Sequence, residues 1–165
     1  MMKSKSAVIT QTPLEKATEE TPDVKGHFCK GLGAIKGNER DRFIAPDPRK
    51  LTGSLDIDKA TRDRYPEANR WDYAVEYNDE TFFVEVHPCS TSDVSKMIDK
   101  LTWLKGWLKT KAPQIDALKS KNQPYHWIAT SGVGILPNSS YAKKLAQNKI
   151  LLAKYWNYSK IMKKS

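Results

Sequence analysis

Two acidic side chains are placed to do chemistry together. Residues 71–77 and 81–87 are β-rich runs around Asn78-Asp79-Glu80, the composition of a hairpin. With the turn centred on Asn78-Asp79, Asp72 stands directly opposite Glu85. Opposed residues have Cβ atoms about 4.5–5.5 Å apart. Two carboxylates that close repel unless a positive charge lies between them, and a divalent cation is the usual remedy. Mg²⁺ (or Mn²⁺) suits such a pair, because it takes one or two carboxylates and fills its other positions with water and phosphate oxygens. A metal there would activate water and neutralise charge building on a phosphate. Asp56 and Asp58, in the alternating run 53–58, are further acids expected on one side of a neighbouring strand.

Two elements must hold this pair. The hairpin alternates with period two, so Asp72, Ala74, Phe83, Glu85 and His87 share one face. Tyr73, Val75, Tyr77, Phe82, Val84 and Val86 form the other, apolar face, which is the expected core face. Pro88 is expected to end the second strand. A helix over 93–111 follows, with Ser92 as its N-cap. Val94, Met97, Ile98, Leu101, Leu104 and Leu108 make its apolar face. Lys96, Lys100, Trp103, Trp107 and Lys111 make a second stripe beside it. Lysine interleaved with tryptophan suits a phosphate backbone, although Trp103 and Trp107 read more simply as core edge. Lys96 and Lys100 lie in the first two turns, within reach of the end of the Glu85 strand.

This order of elements resembles the PD-(D/E)XK nuclease superfamily, which has the restriction-endonuclease-like fold. In that family an Asp on one core strand and a Glu-x-Lys on the next bind Mg²⁺, and a helix, a strand and a second helix follow. Trp71-Asp72 looks like the acidic strand, and Glu85-Val86-His87 looks like the Glu-x-Lys. The resemblance spans residues 53–153. His87 stands where the family carries Lys, and a neutral imidazole supplies no fixed cation, although it can act as a general base or a metal ligand. Some members place the lysine on the following helix, where Lys100, or failing that Lys96, matches. The resemblance implies metal-dependent phosphodiester hydrolysis, with Asp72, Glu85, His87 and Lys100 catalytic. It implies Mg²⁺ on Asp72 and Glu85, with Asp56, Asp58 or Glu39 as the extra upstream acid. A non-catalytic module on the same fold, with a degenerate site that binds nucleic acid or protein, is the second reading.

The charge distribution points the same way. The chain has 165 residues and a net charge of +9, yet its first 116 residues are neutral and its last 49 carry nine lysines and no acidic side chain. A one-sided basic block suggests a polyanion, nucleic acid being the commonest. Lys96, Lys111, Lys119, Lys121, Lys143 and Lys144 are the expected contacts. A homodimer is among the assemblies the chain allows. No apolar run approaches the roughly 20 residues needed to span a bilayer, and the N-terminus lacks the apolar core of a signal peptide. A cytoplasmic protein that binds no membrane is therefore expected.

Other signals carry less. His27-x-Cys29 and His87-x-Cys89 match no common zinc spacing. His126 alternates with Tyr125 and Trp127 in a buried-looking strand and reads as a structural histidine. The expected organisation is a flexible N-terminal arm over 1–25, rich in Thr, Glu, Lys and Pro, and a single domain over 26–165. The expected fold is α/β, with a central mixed sheet of four to five strands flanked by helices. Its later elements are a short helix over 59–65 capped by Asp58, a strand over 125–130, a helix over 140–147 and a last strand over 150–155.

Overall fold

Thr12 opens the first helix: its hydroxyl accepts the Glu15 N–H, and Pro13 follows it at the first helical position. The structure, a computed structural model, describes residues 10–164. Helix α1 (Pro13–Glu19) buries Leu14 and Ala17 completely or nearly so, and Val24 after it is also buried. The expected flexible arm is thus corrected from residue 12 onward, and residues 1–9 lie outside the described residues. Apolar positions three apart, Leu14 and Ala17, are enough to dock one short helix, and the polar composition around them hides that.

The chain continues through β1 (Phe28–Lys30), a 3₁₀ turn and β2 (Phe43–Ile44) to β3 (Leu51–Asp56) and α2 (Ile57–Thr61). The hairpin strands are β4 (Tyr73–Tyr77) and β5 (Glu80–Cys89). Helix α3 (Val94–Thr110), α4 (Pro113–Asp116), β6 (Tyr125–Val133), α5 (Ser140–Gln147), β7 (Ile150–Ala153), β8 (Trp156–Asn157) and α6 (Tyr158–Lys164) follow. Six strands form the central sheet in the order β1-β3-β4-β5-β6-β7, one more than the upper expectation, while β2 and β8 make a separate parallel pair. The sheet is mixed and mostly antiparallel: β1, β3, β4 and β5 alternate in direction, and β5, β6 and β7 run parallel. Helix α3 is the crossover that a parallel β5–β6 pair requires.

The hairpin register is as expected. Tyr73 pairs with Val84 and Tyr77 with Glu80, so the next pair outward is Asp72 with Glu85. Asn78 and Asp79 have φ of 53° and 64°, the left-handed pair demanded by a two-residue type I′ turn, and Asn and Asp tolerate it well. Gly53 on β3 lies under the Phe28 ring, where a Cβ would come within 2.3 Å of Cε1.

Both faces of the sheet are covered. Tyr73, Val75, Phe82, Val84 and Val86 pack with Trp156, Phe43 and Ile161 on one side. Ala74 and Phe83, from the face that carries Asp72 and Glu85, pack with Leu14, Leu101, Leu104, Leu108 and Trp127 on the other. Alternation marks the other face as the core face, while Ala74 and Phe83 argue for partial cover of this one, and α1 and α3 do cover it. Three local readings are also corrected. Strand β5 runs through Pro88 to Cys89, with a bulge after His87 that takes up the missing donor. Ser90 rather than Ser92 begins the turn into α3, in a capping box with Asp93. The last strand ends at Ala153, and the aromatic run after it forms β8 and α6.

Candidate active site

The site is built where the antiparallel hairpin meets the crossover helix. The N–H of Asp72 donates to Glu85 Oε2 at 2.5 Å, and the N–H of Val86 donates to Asp72 Oδ2 at 3.1 Å. These two bonds continue the ladder through side chains and clamp the carboxyl groups together. The expected juxtaposition of Asp72 and Glu85 is therefore present in the folded chain.

A cation is already there. Lys100 Nζ donates to Glu85 Oε1 at 2.7 Å. The helix phase explains it: Met97, Leu101 and Leu104 face the sheet, and Lys100, beside them, is carried over the edge of β5 with its side chain 15% exposed. Glu85 is fully buried. Burial pushes the Glu85 carboxyl up to about 8, the Asp72 charge adds to the rise, and Lys100 opposes it. Burial also raises Asp72 above the usual carboxylate range, against the pull of Lys100. Burial works against the Lys100 ammonium, but Glu85 and Asp72 outweigh it and hold its pKa above that of a free lysine.

Asp56 and Asp58 do not share a strand face. Asp56 ends β3 and caps α2, accepting the Lys59 N–H at 2.8 Å, so the cap is Asp56 and not Asp58. Asp58 lies one residue into α2, paired with Arg70 at 2.8 Å and with Arg62 at 3.2 Å. Its backbone N–H donates to the Asp72 carbonyl at 3.3 Å, and its charge is felt by both Asp72 and Lys100. Of the upstream acids, Asp58 is thus nearest in effect. Glu39 is turned to the Tyr73 hydroxyl, which donates to it at 2.7 Å. Arg70, which sequence reasoning passed over, orients Asp58. Only its place in a chain turn, donating to the Tyr65 carbonyl at 2.6 Å, makes this possible, and periodicity carries no sign of that.

His87 shares the face of Glu85, but its Nδ1 donates to the Pro88 carbonyl at 2.6 Å. That bond turns the ring along its own strand, and none of its hydrogen bonds reaches Asp72, Glu85 or Lys100. Lys96 is exposed on α3 and Lys111 at its C-cap, and Lys143 and Lys144 are exposed on α5. Lys119 and Lys121 are exposed in the segment after α4. Among the described residues, no three His, Cys, Asp or Glu side chains are grouped as a metal-holding set. Among those residues, too, no helix is long and apolar enough to cross a membrane.

Comparison of the chain with protein-family models, with curated proteins and with solved structures gives no match. The class defined by the fold alone is a mixed α/β protein with a six-stranded sheet.

Proposed function

We propose that the chain is a metal-dependent nuclease of the PD-(D/E)XK type. Asp72 and Glu85 would hold Mg²⁺ or Mn²⁺, and Lys100 would take the place of the strand lysine that His87 lacks. One observation carries the reading: the Lys100 ammonium lies 2.7 Å from Glu85 Oε1, so the expected cation is delivered from the helix instead of the strand. The donor set suits the metal. Mg²⁺ needs only one or two carboxylates beside its waters, and each carboxylate oxygen keeps a second lone pair after accepting one N–H.

A divalent ion held there would lower the pKa of a bound water and neutralise charge on a phosphate. The chain's own residues set the rest. Lys100 stays protonated between two carboxylates, so it acts as a positive charge and donor and not as the base. The Asp72 carboxyl, half-buried where Glu85 is fully buried, would present to the ion the oxygen that the Val86 N–H leaves free. Arg70 holds Asp58 in reach of the pair.

The test is cleavage of linear and circular DNA and of RNA with Mg²⁺ or Mn²⁺. Asp72→Asn and Glu85→Gln should each abolish metal-dependent cleavage, and activity surviving both would overturn the assignment. A second reading, a non-catalytic binding module, is favoured by one observation: both Glu85 oxygens are already taken by protein donors. Titration with Mn²⁺ separates the two. A bound ion at Asp72 and Glu85 supports the nuclease, and no ion with no change in melting temperature supports the module.

A further inference from the structure

Two of the lysines expected as contacts, Lys119 and Lys121, line one groove together with Lys105, Lys109 and Lys149, and none of the carboxylate-site residues lines it. A recess of about 600 Å³ opens between the C-terminal half of α3, the segment after α4 and the start of β6. Lys105, Lys109, Lys119, Lys121 and Lys149 line it, and Asp116 is its one acid. All five lysines are exposed. Asp116 is already committed to Lys119, 3.1 Å away. A second recess of about 460 Å³ shares Lys121, Pro124 and Lys149, so the groove continues across the start of β7.

We propose that this groove binds the phosphodiester backbone of nucleic acid, as a docking site separate from the carboxylate pair. The proposal rests on nucleic acid being the partner, and it adds where the partner is gripped. Four cations in excess of acid on one concave surface repel each other until a polyanion neutralises them. Lys105 and Lys109 are one helical turn apart, about 6 Å along α3, so they present a row of charge instead of a point.

The backbone supplies an independent sign. Lys149 has φ of 60°. It directly follows the C-cap of α5, where glycine is the usual choice because a Cβ is strained there. Among the described residues, every other position with positive φ is Gly, Asn or Asp. The strained position is thus occupied by a lysine that faces the groove, and strain of this kind gathers where a side chain must be held in place.

The wall also indicates how the ligand is read. The Tyr125 ring is buried, and Lys105 Nζ covers its face at 5.2 Å from the centroid, so it is not free to stack on a base. Among the groove residues none is an exposed aromatic. The grip is therefore on phosphates, independent of base sequence. On α3, Lys105 and Lys109 lie about 8 and 13 Å beyond Lys100 along the axis, which sets the groove along the C-terminal half of the helix.

The test uses the full chain and three probes: a 20-base-pair duplex, a single strand of the same length and inorganic tripolyphosphate, each titrated across salt. The wild type should bind the duplex with a log–log salt slope of about −3 to −4, as four neutralised phosphates require. The triple variant Lys109→Gln, Lys121→Gln, Lys149→Gln should lose at least tenfold in affinity and most of the slope for either strand form. The triple variant to Arg should keep both. All three side chains are exposed, so melting temperatures should match, and that match confirms that any loss belongs to binding. If the Gln variant binds the duplex like the wild type, the groove is not the docking site. If tripolyphosphate saturates the protein without displacing the duplex, the groove takes free phosphates and the proposal fails. Absence of cleavage by the wild type, together with the expected binding loss in the Gln variant, would end the nuclease reading and leave the groove standing.

Discussion

Lys100 on α3 and Glu85 on β5 meet at 2.7 Å, and the other Glu85 oxygen accepts the Asp72 N–H at 2.5 Å. One carboxyl group therefore joins the crossover helix to both strands of the hairpin. Removing the ammonium by Lys100→Met leaves Glu85 buried with no cation. The loss of stability should be about 3 kcal/mol at pH 8, as when one partner of a buried pair is removed. It should shrink at pH 5, where Glu85 protonates. Urea unfolding at the two pH values reads it, and equal losses at both would mean that Glu85 does not titrate. Metal-dependent cleavage should be lost as well.

Glu85 itself should make the stability of the fold depend on pH. Its pKa in the fold is raised to about 8 by burial, above that of an unfolded glutamate. The folded state then binds the proton more tightly, so stability is highest below the unfolded pKa of about 4.3 and falls as pH rises toward 8. Glu85→Gln removes the titration, although its amide nitrogen cannot accept from the second of the two donors, the Asp72 N–H and the Lys100 ammonium, so some stability is lost at every pH. Its stability should therefore no longer fall between pH 5 and pH 8, while cleavage disappears. A variant whose stability falls over that range as steeply as the wild type's would contradict this.

His126 works in the opposite sense. It is buried beside Phe82, and burial lowers its pKa to about 4, with the Gln123 carbonyl opposing. An unfolded histidine titrates near 6.5, so stability is intact above that and is lost as pH falls from about 6.5 to 4. His126→Gln should flatten the acid limb of the stability curve over that range, whatever its effect at pH 8. An unchanged limb would assign acid unfolding to other groups.

The N-terminal helix is part of the core. Leu14 is fully buried, and its N–H donates to the buried Glu76 Oε2 at 2.8 Å. Leu14→Ala should cost about 3 kcal/mol, in the range for truncating a core leucine. Removal of residues 1–20 should lower the melting temperature sharply, and no change would restore the view of this segment as a loose arm.

How much of this was legible depends on the residue. The pairing of Asp72 with Glu85 was, because Asn78-Asp79 allows a two-residue turn and period two does the rest. The helix over 140–147 was, because Ser139 caps it. Asp56 was misplaced because the alternation of residues 53–58 looks the same whether the strand ends at Asp56 or runs on. Pro88 misled because the bulge that accommodates it leaves no local mark. Glu76, in the run 71–77, was left unremarked because its partners, Leu14 and Thr52, lie on distant elements. The lysine groove was hidden for the same reason. Lys105 and Lys149 become neighbours only through the crossover and the placement of β7.

The two halves of the sheet also differ in when they can form. The antiparallel hairpin β4–β5 is the most local pairing in the molecule, closed by two residues. Parallel β5–β6 pairing must wait for the whole of α3 to fold back. Asp72 and Glu85 are therefore expected to meet before Lys100 docks with the helix. A transition state with the hairpin paired and α3 still undocked would hold the two acids without their counter-ion, and would be favoured when one of them keeps its proton. Raising the pH from 5 to 8 should accordingly slow refolding more than it speeds unfolding, and Glu85→Gln should remove that asymmetry from the chevron.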